Sequence, residues 1–145
     1  MSYNSPGGLV GKSLELLEIS LSGSPALNGY FTFNAQIEST FSDSISGLSS
    51  DTLTLPSGFY WAQAVLSITR TAAADNYEFQ FEVDGSLEGK EGQSGWLDNI
   101  RADFADAMFE DASSTISLKL KCTDIENNAP TIAADSRFYI WRVKP

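Results

Sequence analysis

Strict alternation of apolar and polar residues is the feature that most constrains the fold of this chain. It is cleanest in Asn76-Tyr-Glu-Phe-Gln-Phe-Glu-Val83, which is followed directly by Asp84-Gly85. A period of two places alternate side chains on opposite faces of a β-strand, and Asp-Gly is a strong signal for a tight hairpin turn. The pattern therefore predicts a half-buried strand that reverses direction at residues 84–85.

Similar patterns recur along most of the chain. We predict strands from Ser13 to Leu21, with a bulge or register change at Leu16-Leu17, and over Tyr30–Ile37. Two more are predicted over Thr115–Thr123 and Ser136–Val143. About eight such strands at hairpin spacing indicate an all-β fold, an antiparallel β-sandwich.

The strand predicted after Pro56-Ser57-Gly58 is unusual because both of its faces are apolar. One face carries Tyr60, Ala62, Ala64, Leu66 and Ile68, and the other carries Phe59, Trp61 and Val65. A strand of this kind is covered on both sides. We therefore expect a second surface to pack against this strand, in addition to the interior of the sandwich.

The segment from Trp96 to Asp111 allows two interpretations. Helical spacing relates Leu97, Ile100, Phe104 and Met108, whereas a strand fits around Ala102–Phe109. We favour a strand because the neighbouring segments are all β.

Two further features are interpreted as connections. The Ser-rich stretch Ser39–Asp51 is predicted to be a loop lying over the body, anchored by Phe41, Ile45 and Leu48. Turns between short strands are predicted at Gly85, Gly89, Gly92 and Gly95.

A chain of 145 residues has the length of one domain, which we assign to residues 13–145. Residues 1–12 are rich in Gly, Ser and Asn and are predicted to be a flexible amino-terminal arm, since they hold too little apolar surface to order themselves. We expect this arm to anchor the protein to a partner through its apolar residues, Tyr3, Leu9 and Val10.

Charge and composition exclude several kinds of partner and chemistry. Lys and Arg number 9 against 19 Asp and Glu, a net charge of −10, so we expect no binding to nucleic acid or to anionic membranes. The absence of histidine excludes Ser-His-Asp triads, Cys-His dyads and His-ligated zinc. The one cysteine, Cys122, is interpreted as a buried thiol.

No catalytic residue, cofactor or metal is predicted. Glu78 and Glu82 are explained by the polar face of their strand. The acidic run of Asp98, Asp103, Asp106, Glu110 and Asp111 lacks the spacing of a calcium loop and is interpreted as a solvated face. A calcium ion in this run, or in the Asp124-Ile-Glu-Asn-Asn loop, remains the alternative.

Two stretches carry a resemblance to a known family. Leu53-Thr-Leu-Pro-Ser-Gly-Phe-Tyr-Trp-Ala-Gln-Ala resembles the entry to a central strand in jelly rolls of the tumour necrosis factor and complement globular-head type. Ser136-Arg-Phe-Tyr-Ile-Trp-Arg-Val143 is similar to their final strand and follows Ser113-Ser-Thr-Ile-Ser-Leu-Lys-Leu-Lys at the expected distance. The resemblance covers roughly residues 50 to 145 and implies a jelly roll.

The resemblance also implies an assembly and a role. Jelly rolls of this type commonly form homotrimers, and tailed bacteriophages use similar ones as capsid decoration (cement) proteins and fibre tips. We therefore expect a non-enzymatic homotrimer on the outer capsid surface of a virion, bound to the major capsid protein and made in the host cytoplasm without a signal peptide. The expected subunit interface contains Phe59, Trp61, Tyr139 and Trp141.

Two further expectations concern partners. Residues 137–145 hold Arg137, Arg142 and Lys144 and no acid, whereas residues 1–136 carry a charge of −13, so these three are candidate docking charges. The alternative function is a carbohydrate-binding module or a receptor-binding fibre tip, in which exposed Trp or Tyr rings stack on sugars.

Overall fold

In the computed structural model, the described residues are 13–69, 76–93, 100–126, 129 and 131–144. Within these ranges the chain forms ten strands, all paired antiparallel, and no helix. They are β1 (Ser13–Ser22), β2 (Thr32–Ser39), β3 (Leu53–Leu55), β4 (Gly58–Thr69), β5 (Asn76–Val83), β6 (Ser86–Gln93), β7 (Ile100–Asp111), β8 (Ile116–Glu126), β9 (Thr131–Ile132) and β10 (Arg137–Lys144).

The strands form two layers. We call β2-β1-β10-β4-β7 the front sheet and β6-β5-β8-β3 the back sheet; β9 pairs with the end of β4. The layers are joined at one end by β6 and β7, where Lys90 pairs with Asp106. At the other end they are joined by bridges from Phe33 to Ser50 and from Tyr30 to Lys121. The predicted antiparallel sandwich is confirmed, with short β3 and β9 added to eight longer strands.

The core lies between the two sheets. It is built from alternate residues of each strand, as the period of two predicts. Small residues of the front sheet pair across β4 and β7, Ala62 with Ala107 and Ala64 with Ala105. Large aromatic residues fill the remaining volume, for example Phe138, whose ring centroid lies 5.0 Å from that of Phe33.

The described part of the segment with two interpretations, residues 100–111, is a strand, since β7 pairs with β4 along its whole length. Within the described part of the chain, no helix has the length and apolar character needed to span a membrane. Residues 1–12, with Tyr3, Leu9 and Val10, lie outside the described residues, as does Trp96.

The prediction of a bulge or register change at Leu16-Leu17 is wrong. β1 pairs with β10 in continuous register, with Leu16 opposite Trp141 and Leu17 opposite Ile140. The two leucines point to opposite faces, Leu17 into the core and Leu16 away from it. Register shifts do occur, but in the pairing of β1 with β2 and on either side of Ile19.

The predicted loop over the body is present between β2 and β3. Phe41 and Ile45 pack against the core, whereas Leu48 is 37% exposed. Two of the three expected anchors therefore hold the loop.

Two of the expected turn glycines lie inside a strand instead. Gly89 and Gly92 belong to β6, where each allows a close approach. A Cβ atom on Gly92 would lie 2.3 Å from the Phe79 ring, and one on Gly89 would lie 1.9 Å from the Asp106 carbonyl oxygen. Gly85 forms the predicted hairpin turn between β5 and β6.

Substitution of Gly89 tests this packing, with Gly85 as the matched control. Both glycines have positive φ, +74° and +87°, but a Cβ on Gly85 meets nothing within 4 Å. We expect Gly85→Ala to lower the free energy of unfolding by about 1–2 kcal/mol, the cost of left-handed backbone. Gly89→Ala should cost about 3 kcal/mol or more, because the clash with backbone adds to that cost. Urea denaturation measures both; equal losses would contradict the close approach of β6 and β7.

Candidate interaction face on the front sheet

The face of the front sheet that points away from the core is unusually apolar. We call it the outer face. It is formed by the residues that alternate with the core residues of β1, β10, β4 and β7. Its apolar members are Leu14, Leu16, Phe59, Trp61, Val65, Phe104, Met108, Tyr139, Trp141 and Val143. No second layer formed by the described residues covers these apolar side chains.

Two tryptophans form the centre of the outer face. Trp61 on β4 is the direct cross-strand partner of Trp141 on β10. Their ring centroids are 4.8 Å apart with an angle of 25° between the ring planes. Tyr139 continues the group, with its ring 6.0 Å from that of Trp141 and an interplanar angle of 23°. The three rings form a near-parallel series, which we call the ring series.

A groove of about 280 Å³ lies beside the ring series. It is lined by the predominantly apolar side chains of Leu14, Phe59, Trp61, Met108, Trp141 and Val143. Several of these side chains are well exposed, Leu14 by 69%, Met108 by 64% and Trp61 by 42%. Covering a large apolar side chain completely contributes about 1.5–3 kcal/mol, so this groove offers substantial binding free energy to any apolar surface that covers it.

The other half of the outer face is more polar. Arg137 pairs with Glu18 at 3.5 Å, and the Lys90 ammonium lies 4.9 Å from the centre of the Phe104 ring. The outer face therefore has an apolar half near the start of β4 and a half with balanced charges near the start of β10.

A buried ion cluster lies directly beneath the groove. Arg142 is 1% exposed, and its Nη2 atom donates to Glu15 Oε2 at 3.0 Å and to Asp43 Oδ2 at 2.7 Å. The hydrogen bonds are the reason that two charged residues, Arg142 and Glu15, are tolerated in the interior. The expectation that Arg142 is a docking charge is therefore wrong, because its charge faces the core and is already paired.

The other candidate docking charges differ from Arg142. Arg137 is partly exposed and paired with Glu18. The backbone of Lys144 ends β10, and its side chain lies outside the described part of the structure.

Hydrogen bonding and burial shift the pKa values of the ion cluster. Burial raises the pKa of Glu15, but hydrogen bonds from Ser42 and Arg142 outweigh it and hold this pKa below its ordinary value. Burial lowers the pKa of Arg142, and the bonds to Asp43 and Glu15 more than reverse that effect. Both groups therefore remain charged at neutral pH.

Two other acidic residues, Asp111 and Glu82, have local structural roles. Asp111 accepts hydrogen bonds from Ser113 and Ser114, which places it at the centre of the turn after β7. The same bonds lower the pKa of Asp111 to about 2. Glu82 accepts from the Tyr30 hydroxyl and pairs with Lys121 at 3.7 Å. Asp98 and the side chain of Asp103 lie outside the described part.

Glu78 and Cys122 are two further groups with shifted pKa values. Burial and the neighbouring Glu91 carboxylate raise the pKa of Glu78. Cys122 is buried, as predicted, and burial raises the pKa of its thiol to about 11. A thiol with this pKa is almost entirely protonated at neutral pH, so it is a poor nucleophile.

All four residues of the expected subunit interface lie on the outer face, namely Phe59, Trp61, Tyr139 and Trp141. Leu14, Met108 and Val143 complete the groove and were not among the residues predicted for the interface. Alternation could have revealed Met108, because a strand that places Phe109 in the core places its neighbour outside.

Comparison with known proteins finds similar structures but no matching sequence. No protein-family model matches the sequence, and no curated protein does. The structure is similar to that of murine APRIL at pH 8.5, with a TM-score of 0.61 and 9% sequence identity over 90% of this chain and 99% of that chain. It is also similar to the globular domain of the zebrafish complement 1qA protein, with a TM-score of 0.60 and 7% identity over 88% and 94%. These likenesses confirm the predicted jelly roll of the tumour necrosis factor and complement globular-head type.

Proposed function

We propose that this chain is a non-enzymatic structural protein that assembles as a homotrimer through the outer face of its front sheet. The observation that carries the proposal is the cluster of exposed apolar residues around Trp61 and Trp141. Monomeric proteins rarely expose contiguous apolar patches of large size, and such patches mark sites of association. Aromatic side chains and methionine are the residues enriched at the centres of interfaces.

The chemistry of the described residues supports a binding role instead of a catalytic one. The chain has no histidine, and the thiol of Cys122 is buried. Asp111 and Glu82 are engaged in local hydrogen bonds and ion pairs. A nucleophile with an adjacent base, which covalent catalysis requires, is not found among these residues.

As the specific role, we propose decoration of a tailed-phage capsid. In this proposal the trimer binds the major capsid protein on the outer surface of the virion, and residues 1–12 anchor it there. Support comes from the sequence resemblance to jelly rolls used in this way and from the fold, which presents surfaces for binding. The chain also carries a high acidic net charge of −10. Because fold alone does not determine function, binding to capsids is the property that tests this role.

Carbohydrate binding is the second candidate because Trp61 is 42% exposed in a near-parallel ring series. A sugar stacks on the open face of an aromatic ring. At a centroid distance of 4.8 Å, the faces that Trp61 and Trp141 turn toward each other are closed to a sugar. This arrangement favours burial against a second subunit, and titration with glycans while tryptophan fluorescence is recorded separates the two candidates.

Met108→Glu tests the assembly proposal. The side chain is 64% exposed, so a charge there should leave the isolated subunit folded while repelling an apolar partner. Leu27→Glu is the matched control: Leu27 is 52% exposed, in a turn that hydrogen-bonds to the back sheet through Asn28 and Cys122.

In light scattering at micromolar concentration, we expect a trimeric mass for the wild type and for Leu27→Glu. Met108→Glu should weaken association by about a hundredfold or more, because burying an unpaired charge costs several kcal/mol. A wild-type monomer, or equal masses for the two variants, would contradict the proposed contact.

Deletion of residues 1–12 tests the capsid proposal. Since β1 begins at Ser13, we expect the truncated protein to keep its fold and its oligomeric state. Its affinity for capsids lacking the decoration protein, measured by co-sedimentation, should fall at least tenfold. Equal binding of truncated and full-length protein would overturn the anchoring role of the arm, and absence of binding by both would overturn the capsid role.

A further inference from the structure

Residues 40–43 form a short segment, which we call the strap, that lies along the first half of β1. The Thr40 amide donates to the Leu16 carbonyl at 2.8 Å, and the Leu16 amide donates to Thr40 Oγ1 at 2.8 Å. The Ser42 amide donates to Glu15 Oε2 at 2.9 Å, and the Ser42 hydroxyl donates to Glu15 Oε1 at 3.2 Å. The strap thus contributes the partners of β1 on the side away from β10.

Arg142 ties the strap to the sheet. One nitrogen, Nη2, donates to Glu15 on β1 and to Asp43 on the strap. The Phe41 ring lies 5.0 Å from the guanidinium carbon, and the Arg142 Nε atom is buried with no hydrogen-bond partner. The two carboxylates are therefore the main compensation for this buried charge.

The ion cluster also lies under the groove of the outer face. Glu15, Arg142 and Tyr60 are cross-strand partners on β1, β10 and β4. On β1, Glu15 stands between Leu14 and Leu16, whose side chains point to the outer face. Displacement of this part of β1 therefore displaces the rim of the groove.

We propose that the strap is an acid-released latch: protonation of Glu15 and Asp43 frees residues 40–43, loosens the start of β1 and weakens self-association through the groove. This inference rests on the proposed function for its last step only. Release of the strap is a property of the single subunit.

The direction of the pH dependence follows from the charges that face the cluster. In the part of the chain that the structure describes, these include Glu15, Asp43, Arg142 and the Tyr60 hydroxyl, which donates to the Pro56 carbonyl. Burial raises the pKa of Tyr60, so both it and Arg142 keep their protons on acidification. Because the pKa of Glu15 is lowered in the folded protein, its stabilising effect is fully present above the ordinary glutamate value, about 4.3, and is lost as the pH falls below it.

A general effect of acid acts in the opposite direction. Acidification reduces the net charge of −10 and therefore the repulsion between subunits, which favours assembly. Comparison of variants at a single pH separates release of the strap from this effect of net charge on assembly. Asp43→Asn removes the charge of a 44% exposed side chain, and Glu126→Gln removes an equal charge from an exposed position at the end of β8.

Hydrogen exchange of the full chain at a single neutral pH provides the first readout. We expect the amides of Thr40 and Ser42 to exchange about tenfold faster in Asp43→Asn than in the wild type, because a charge-assisted bond is replaced by a neutral one. Glu126→Gln should leave both rates unchanged. Equal rates for Asp43→Asn and Glu126→Gln would overturn the latch.

Light scattering provides the second readout. We expect Asp43→Asn to dissociate at a higher protein concentration than Glu126→Gln, by about tenfold. If Asp43→Asn frees the strap but associates as tightly as the control, the link between strap and groove is wrong. If the wild type is monomeric while the strap still responds to Asp43→Asn, the proposed trimer fails and the strap release stands.

Discussion

The front sheet carries large apolar side chains on both of its faces, and the proposed assembly depends on this feature. One face is covered by the back sheet, which supplies Phe79, Phe81 and Leu118 to the core. The other carries Trp61, Trp141 and an apolar groove. Contiguous exposed apolar surface of this kind is rare in monomeric proteins, and burial of apolar area is the main favourable contribution to association. The proposed self-association would draw on the same physical effect that holds the two sheets together.

Buried charge is the second organising feature. Arg142 stands in a strand whose alternation would place an apolar residue at its position, and it is neutralised by Glu15 from β1 and Asp43 from the loop. Leaving a partner of such a pair unmatched costs several kcal/mol, so the three residues fix the relative positions of β1, β10 and residues 40–43. This arrangement makes one end of the sheet dependent on protonation, whereas the aromatic core around Phe138 is not.

The sequence predicted the sandwich, the two faces of β4 and the aromatic centre of the outer face, because alternation is a local signal. Residues of β4 and β10 could be assigned to inner and outer faces before any contact was known. Arg142 could not, because its charge pointed to solvent while its partners lie 127 and 99 residues away in the chain. Gly89 and Gly92 were likewise misassigned to turns, since the close approach of Asp106 and Phe79 depends on strand packing that a single sequence does not display.

Oxidation of Met108 by hydrogen peroxide reports whether the outer face is covered in the assembled protein. Methionine oxidation follows access to the sulfur, and Met108 is 64% exposed in the single subunit. If the outer face is the subunit contact, mass spectrometry should find Met108 oxidised at least tenfold more slowly in the native protein than in the urea-unfolded chain. Oxidation of Met108 at the same rate in both states would show that the outer face is not covered.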